Sequence, residues 1–117
     1  MTSVPEKLSP ATRALLENAD HELYLSAASA WEIAIKSGLG RLRLPEPPEH
    51  YIPSRLVLTG VLTLRIDCGH AARVASLPPH HKDPFDRLLI AQAQLEHLAI
   101  LTADREFEAY DIRTIAA

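Results

Sequence analysis

The sequence has little of several features that would mark particular classes of protein. It contains one cysteine, Cys68, in 117 residues, which excludes an internal disulfide and suits a reducing compartment. Its longest uncharged stretch, Leu23 to Trp31, is interrupted by two serines and is far shorter than the roughly 20 apolar residues of a membrane span. No basic segment precedes an apolar run, so no signal peptide is expected. These absences predict a cytoplasmic protein with no membrane partner.

Excess positive charge and glycine-rich loops are also missing. Twelve Lys and Arg against 15 Asp and Glu give a net charge of −3, so no overall field attracts nucleic acid. Any contact with RNA or DNA must therefore be local and is expected to use bound cations. The four glycines form no phosphate-binding loop. The apolar share of 47% is enough for a core, and the length predicts a single domain over residues 1–117, since one core typically serves roughly 100–150 residues.

Short apolar runs alternate with helical segments along the chain. Strands are predicted at residues 23–25, 61–66, 98–102 and 112–115, and helices begin near Ser9, at Ser26 or Ser29, and at residues 49, 67, 83 and 104. Strands that alternate with helices predict a parallel sheet covered on both faces. In such sheets, ligands bind at the carboxyl ends of the strands, where the following helices begin.

Four acids lie near those helix starts. Glu32 is the only charged residue between Leu23 and Ile35, and its burial would be costly without hydrogen-bond donors or a metal; the alternative is that it lies on a narrow solvent-exposed stripe. Asp83, before a proline, fits a helix N-cap, and Asp86 fits the acidic first turn that the helix dipole favours. Asp104 follows a predicted strand and can also be an N-cap.

Glu32, Asp86 and Asp104 share a position in the first turns after a strand or loop. Three carboxylates that meet there would repel one another unless cations neutralised them. Mg²⁺ and Mn²⁺ prefer oxygen ligands, and one or two such ions could activate water for cleavage of a phosphodiester. A zinc site at His80-His81 lacks a second ligand pair, and a serine nucleophile lacks its usual glycine context. The pattern therefore favours metal-assisted nuclease chemistry.

Three segments resemble the PIN-domain, VapC-like toxin ribonucleases of type II toxin–antitoxin systems: Ser26–Lys36 (SAASAWEIAIK), Asp83–Ala93 (DPFDRLLIAQA) and Leu101–Asp104 (LTAD). The resemblance covers nearly the whole chain from about Leu8 onward. It implies an α/β fold, a three-layer α/β/α sandwich with a small parallel sheet. It also implies cleavage of RNA with Mg²⁺ or Mn²⁺ held by a cluster of acids.

The same similarity implies roles for individual acids. Glu32, Asp86 and Asp104 match the second, third and fourth acids of the family's cluster as catalytic and metal-binding residues, and Asp83 matches an accessory acid or a cap. The family begins with a strand that ends in aspartate, whereas Met1 to Leu8 contains none. The resemblance therefore implies an N-terminally truncated PIN-like domain without the family's first βα unit, for which a start codon upstream of Met1 is one explanation and a native start at Met1 is the alternative. Such a loss would expose sheet edges and weaken metal binding.

Three functions stay open at this point. The first is a Mg²⁺-dependent endoribonuclease toxin, with a VapB-like antitoxin whose C-terminal tail covers the acidic site, and with the homodimer that is common in the family. The second is a catalytically impaired remnant that binds an antitoxin or a second copy of itself. The third is a generic α/β domain whose acids are all helix caps, which would require the motif matches to be accidental.

Overall fold

The fold is presented by a computed structural model that describes residues 22–80 and 83–116. The helix predicted near Ser9 lies outside these residues. In chain order the elements are β1 (Tyr24–Ser26), α1 (Ala27–Gly38), α2 (Pro48–Thr59), β2 (Leu62–Leu64), α3 (Cys68–Arg73), a 3₁₀ helix (Val74–Ser76), α4 (Pro84–Glu96), β3 (Ile100–Thr102), a second 3₁₀ helix (Arg105–Ala109) and β4 (Thr114–Ala116). The predicted alternation of strands and helices is confirmed.

The helix ends follow from identifiable residues. Ser26 is the N-cap of α1, because its hydroxyl accepts a hydrogen bond from the backbone N–H of Ala28. Gly60 ends α2 with φ of 71°, a left-handed conformation that glycine adopts without a steric penalty. The helix predicted from Asp67 to Leu77 is only partly α-helical, because it tightens into 3₁₀ geometry after Arg73.

The strands pair in parallel, but in two separate pairs. β1 pairs with β2, with Tyr24 opposite Leu62, and β3 pairs with β4, with Ile100 opposite Thr114. Among the described residues these are two two-stranded sheets, where the alternation predicted one. A cleft of about 450 Å³ is lined by residues of both pairs and by α4. The expectation that a preceding βα unit is missing stays a prediction.

The core is built around α4. Residues 89–93 of this helix are all buried, so the helix is covered on more than one side. Leu89 and Ile90 belong to a cluster with Ile100, Phe107 and Tyr110, which come from the elements that follow α4. This enclosure fixes the position of the α4 N-terminus, which carries two of the candidate acids. In the part of the chain that the structure describes, no helix is both long and apolar enough to span a bilayer.

Candidate acidic site

Glu32 lies in the second turn of α1 and is buried, with only 5% of its surface exposed. One carboxylate oxygen, Oε2, lies 3.4 Å from the Lys36 ammonium one turn later, and this lysine is half exposed. The other, Oε1, is buried without a hydrogen-bond partner among residues 22–80 and 83–116. Buried carboxylate oxygens normally accept a hydrogen bond or bind a cation. The Oε1 atom of Glu32 does neither in the described part of the chain, although Oε2 has Lys36 beside it.

Asp83 and Asp86 lie at the start of α4. The Oδ1 atom of Asp83 accepts hydrogen bonds from the backbone N–H groups of Phe85 at 2.8 Å and Asp86 at 3.2 Å. These bonds, with Pro84 in the first helical position, make Asp83 an N-cap, one of the two roles expected for it. Asp86 is partly buried in the first turn, where the helix dipole favours a negative charge.

An aromatic contact joins the two helices beside these acids. The rings of Trp31 and Phe85 meet edge to face, with centroids 5.1 Å apart and an interplanar angle of 74°. Trp31 directly precedes Glu32 in α1, and Phe85 directly precedes Asp86 in α4. The contact therefore joins α1 and α4 next to the positions in the sequence that carry Glu32 and Asp86.

Asp104 follows β3 and begins the second 3₁₀ helix. Its Oδ1 accepts a hydrogen bond of 2.9 Å from the backbone N–H of Glu106, and its own N–H donates to the Thr102 hydroxyl at 3.0 Å. The residue is exposed. The cap role that the sequence indicated for Asp104 is therefore present, and any role as a metal ligand would be additional to it.

The three predicted ligands do not form a tight cluster in this structure. A different group of possible ligands is close together among the described residues: Asp67, His70 and Glu96 each have a ligand atom within 4.8 Å of the other two. None of these three residues was predicted to be a ligand. Buried His70 accepts a hydrogen bond at Nδ1 from the Asp67 N–H at 3.1 Å, and its Nε2 lies 2.8 Å from a Glu96 oxygen. The Asp67 carboxylate in turn accepts from the His70 N–H, which completes a capping box.

That capping box is a structural motif, with histidine where Glu or Gln is usual. Both ring nitrogens of His70 are used if the proton is on Nε2, so the ring has no lone pair directed at an ion. The three residues therefore explain the start of α3 and its attachment to the end of α4. A signal for the motif was present in the sequence, since Asp67 precedes the helix and His70 follows three residues later.

Sequence reasoning also missed Gln92, which is almost fully buried in α4 with 1% of its surface exposed. Its Oε1 accepts a hydrogen bond from the Ser26 hydroxyl, and its Nε2 donates to the backbone carbonyl of Arg65 at 3.2 Å. The signal for it was a lone polar residue within the apolar run of residues 88–93. Gln92 thereby joins α4 to the carboxyl ends of β1 and β2.

Parallel strands and the helices that cover them define an α/β sandwich, with candidate acids at the starts of its helices. The chain belongs to the PIN domain family, which it matches over residues 5–113. It is also similar to a protein of Mycobacterium tuberculosis named ribonuclease VapC16, with 46% identity over 61 residues. That alignment covers 52% of this chain and 43% of the relative, so the chain matches less than half of the relative's length.

Proposed function

We propose that the protein is a Mg²⁺- or Mn²⁺-dependent endoribonuclease of the VapC toxin type, with Glu32, Asp86 and Asp104 as its metal ligands. Membership of the PIN family and the similarity to a protein named ribonuclease VapC16 support this proposal. The observation that carries it is the buried Oε1 atom of Glu32, which has no partner in the described part of the chain. A hard divalent cation is the partner that a carboxylate oxygen in such a position fits best.

The donor set suits Mg²⁺ or Mn²⁺ better than zinc. All three proposed ligands are carboxylates, and structural zinc sites use cysteine and histidine. When bound, such a cation would lower the pKa of a water molecule and neutralise charge on the phosphodiester. Because the ligand atoms of Glu32, Asp86 and Asp104 do not all lie within 4.8 Å of one another, at least one of these carboxylates would bind the cation through a water molecule, since Mg²⁺ usually keeps several waters.

Two other residues would support the site without binding the cation. Lys36 forms an ion pair with Glu32 when no cation is present, since its ammonium lies 3.4 Å from Oε2. Asp83 holds the backbone of Asp86 through the cap hydrogen bond of 3.2 Å. Asp83 is therefore an accessory residue that orients the first turn of α4.

The proposal extends to partners and location. The expected partner is a VapB-like antitoxin in the cytoplasm, whose C-terminal tail covers the acidic site. An Arg or Lys of that tail would form a charge-assisted contact with Glu32 or Asp86 and compete with the cation. We also propose a homodimer, the arrangement implied by the family resemblance.

The test replaces Asp86 by asparagine and measures EDTA-sensitive cleavage of RNA by the purified 117-residue protein. Asp86→Asn is expected to abolish cleavage, because the amide removes the charge that binds the cation. Asp83→Asn is the matched control: asparagine caps helices as well as aspartate does, so cleavage should continue. Cleavage by Asp86→Asn at the wild-type rate would contradict the assignment.

One observation favours a second function. In this alternative the protein is catalytically impaired and binds an antitoxin or a second copy of itself. The ligand atoms of Glu32, Asp86 and Asp104 do not all lie within 4.8 Å of one another in the described residues. If RNA is cleaved by the purified protein in Mg²⁺ and not in EDTA, this second function is wrong. If no cleavage occurs with the wild-type protein at any Mg²⁺ or Mn²⁺ concentration, it becomes the better account.

A further inference from the structure

We infer that Gln92 is a positioning residue for the cation site, because its bond to Ser26 sets how α1 lies against α4. The inference rests on the proposed function, since it concerns the two helices that carry Glu32 and Asp86. It depends on a buried hydrogen-bond network that joins α4 to the start of α1 and to the end of β2. An apolar side chain of similar size would fill the same space but would remove both bonds.

The network uses nearly every polar atom that it contains. The Ser26 hydroxyl donates to Gln92 Oε1 and accepts from the Ala28 N–H at 3.1 Å, so one oxygen caps α1 and also ties it to α4. Gln92 Nε2 donates to the Arg65 carbonyl, one residue after β2 ends. Ser26 is 3% exposed and Gln92 1%, so water does not compete for these groups. Buried bonds of this kind favour one arrangement over others of similar packing quality.

The network and the Trp31–Phe85 ring contact both join α1 to α4 in the described part of the chain. Phe85 and Gln92 are seven residues apart in α4 and so lie on one face of it. Phe85 contacts Trp31, and Gln92 bonds Ser26, so the start of each helix lies beside a later part of the other. The two contacts occur in opposite order along the two helices, as in an antiparallel pair, and both constrain the position of one helix along the other.

The relative positions of the candidate ligands depend on how far one helix is shifted along the other. Glu32 is six residues after Ser26, and Asp86 is six residues before Gln92, so each acid is about 9 Å along a helix axis from the hydrogen bond. The Trp31–Phe85 contact alone is edge to face at an exposed ring, and such a contact can slide. Loss of the Gln92 bond would leave the separation of the two carboxylates less well defined, which lowers affinity for an ion that demands near-ideal geometry.

The test substitutes Gln92→Met, which removes both hydrogen bonds at little change in volume. Mn²⁺ binding is measured without RNA, from quenching of Trp31, the one tryptophan in the sequence. The dissociation constant for Mn²⁺ is expected to rise about ten-fold, the size of effect seen when outer-shell partners of metal ligands are lost. Gln94→Met is the matched control, because it makes the same change in the same helix and removes a bond to Arg73 that lies in solvent.

A merely structural role for Gln92 would lower the melting temperature and leave Mn²⁺ affinity of the folded protein unchanged. A folded Gln92→Met protein with wild-type affinity therefore overturns the inference. Should this variant fail to fold, Ser26→Ala breaks the same bond from its other end and is expected to weaken Mn²⁺ binding in the same direction. Wild-type affinity in a folded Ser26→Ala protein would equally overturn it.

A separate measurement distinguishes failure of this inference from failure of the proposed function. The indole N–H resonance of Trp31 in EDTA reports its position beside the Phe85 ring without any cation. If the wild-type protein shows no Mn²⁺ binding that depends on Glu32, the proposed function is wrong, and the resonance then tests only whether Gln92 sets how α1 lies against α4. A shift in Gln92→Met, absent in Gln94→Met, supports that step of the inference, whereas an unshifted resonance overturns the inference whether or not a cation binds.

Discussion

Substitution of Glu32 by glutamine should have opposite effects on stability with and without a divalent cation. Glu32 is 5% exposed, and its Oε1 has no hydrogen-bond partner in the described residues. An unsatisfied buried polar atom costs about 1–3 kcal/mol, and more when it is charged. The ion pair with half-exposed Lys36 returns only about 0.3–0.5 kcal/mol, the usual value for an i, i+4 pair in a helix.

In EDTA, Glu32→Gln should therefore raise the free energy of unfolding by about 1 kcal/mol, because a neutral amide is easier to bury than a carboxylate that has one oxygen without a partner. For a domain of this size, that corresponds to a rise of roughly 3–6 °C in melting temperature. With Mn²⁺ at about 100 times its dissociation constant, the wild-type protein should gain about 2.7 kcal/mol and the variant little. The order of stability then reverses.

The assay is thermal unfolding of both proteins in EDTA and across a Mn²⁺ titration. Glu108→Gln is the control: Glu108 lies 3.9 Å from Arg105 in an ion pair, but its side chain is 57% exposed. This change should alter stability by less than about 0.5 kcal/mol under both conditions. The reasoning is refuted if Glu32→Gln is less stable than wild type in EDTA, or if Mn²⁺ stabilises both proteins equally.

Three further outcomes are expected. Gly60→Ala should destabilise the protein by about 1 kcal/mol, because the backbone φ of Gly60 is 71°. Gly38→Ala should be neutral or stabilising, because a Cβ atom there would meet open space at the end of α1. Chemical denaturation of both variants compares their stabilities. Asp104→Asn should keep the cap and the stability in EDTA but weaken Mn²⁺ binding about ten-fold, as measured by calorimetry; unchanged binding would leave Asp104 as a cap alone. Glu22→Gln should lower the pKa of Tyr24, because the hydrogen bond to the Glu22 carboxylate raises that pKa; a phenolate absorbance titration measures the change. Because the pKa of Tyr24 is raised in the folded protein, this bond favours the folded state below the ordinary tyrosine pKa. That contribution is lost as the pH rises through the raised pKa.

Local chemistry in the sequence predicted the ends of helices better than the arrangement of strands. The caps at Asp83 and Ser26 depend on one residue and its immediate neighbours, so the sequence alone reveals them, although it left Ser29 as an alternative to Ser26. The separation into two strand pairs depends on which edges meet, and partners such as Tyr24 and Leu62 are far apart in the chain. No local pattern contains that information.

The candidate site shows the same limit. Glu32 stood out as a charge in an apolar stretch, and its burial was the alternative that the sequence left open. Gln92 did not stand out, because an uncharged polar residue in a helix is common and its partners, Ser26 and Arg65, lie 66 and 27 residues away. The capping box of Asp67 and His70 was also missed although its residues are three apart, because histidine is not the usual partner in this motif; the contact of His70 with Glu96 joins residues 26 apart.

The acids differ in how much they argue for a cation, and the difference comes from what each does in the fold. Asp83 and Asp104 each accept hydrogen bonds from backbone N–H groups, so the fold accounts for their charge whether or not an ion binds. Glu32 has no such use: its removal would relieve a buried charge, and its N-terminal neighbours already cap the helix. A residue that lowers stability without a structural return is best explained by binding. The case for a cation therefore depends on Glu32. If Glu32→Gln is more stable than wild type in EDTA and also loses Mn²⁺ binding, one variant would show that this carboxylate costs stability and that it binds the cation.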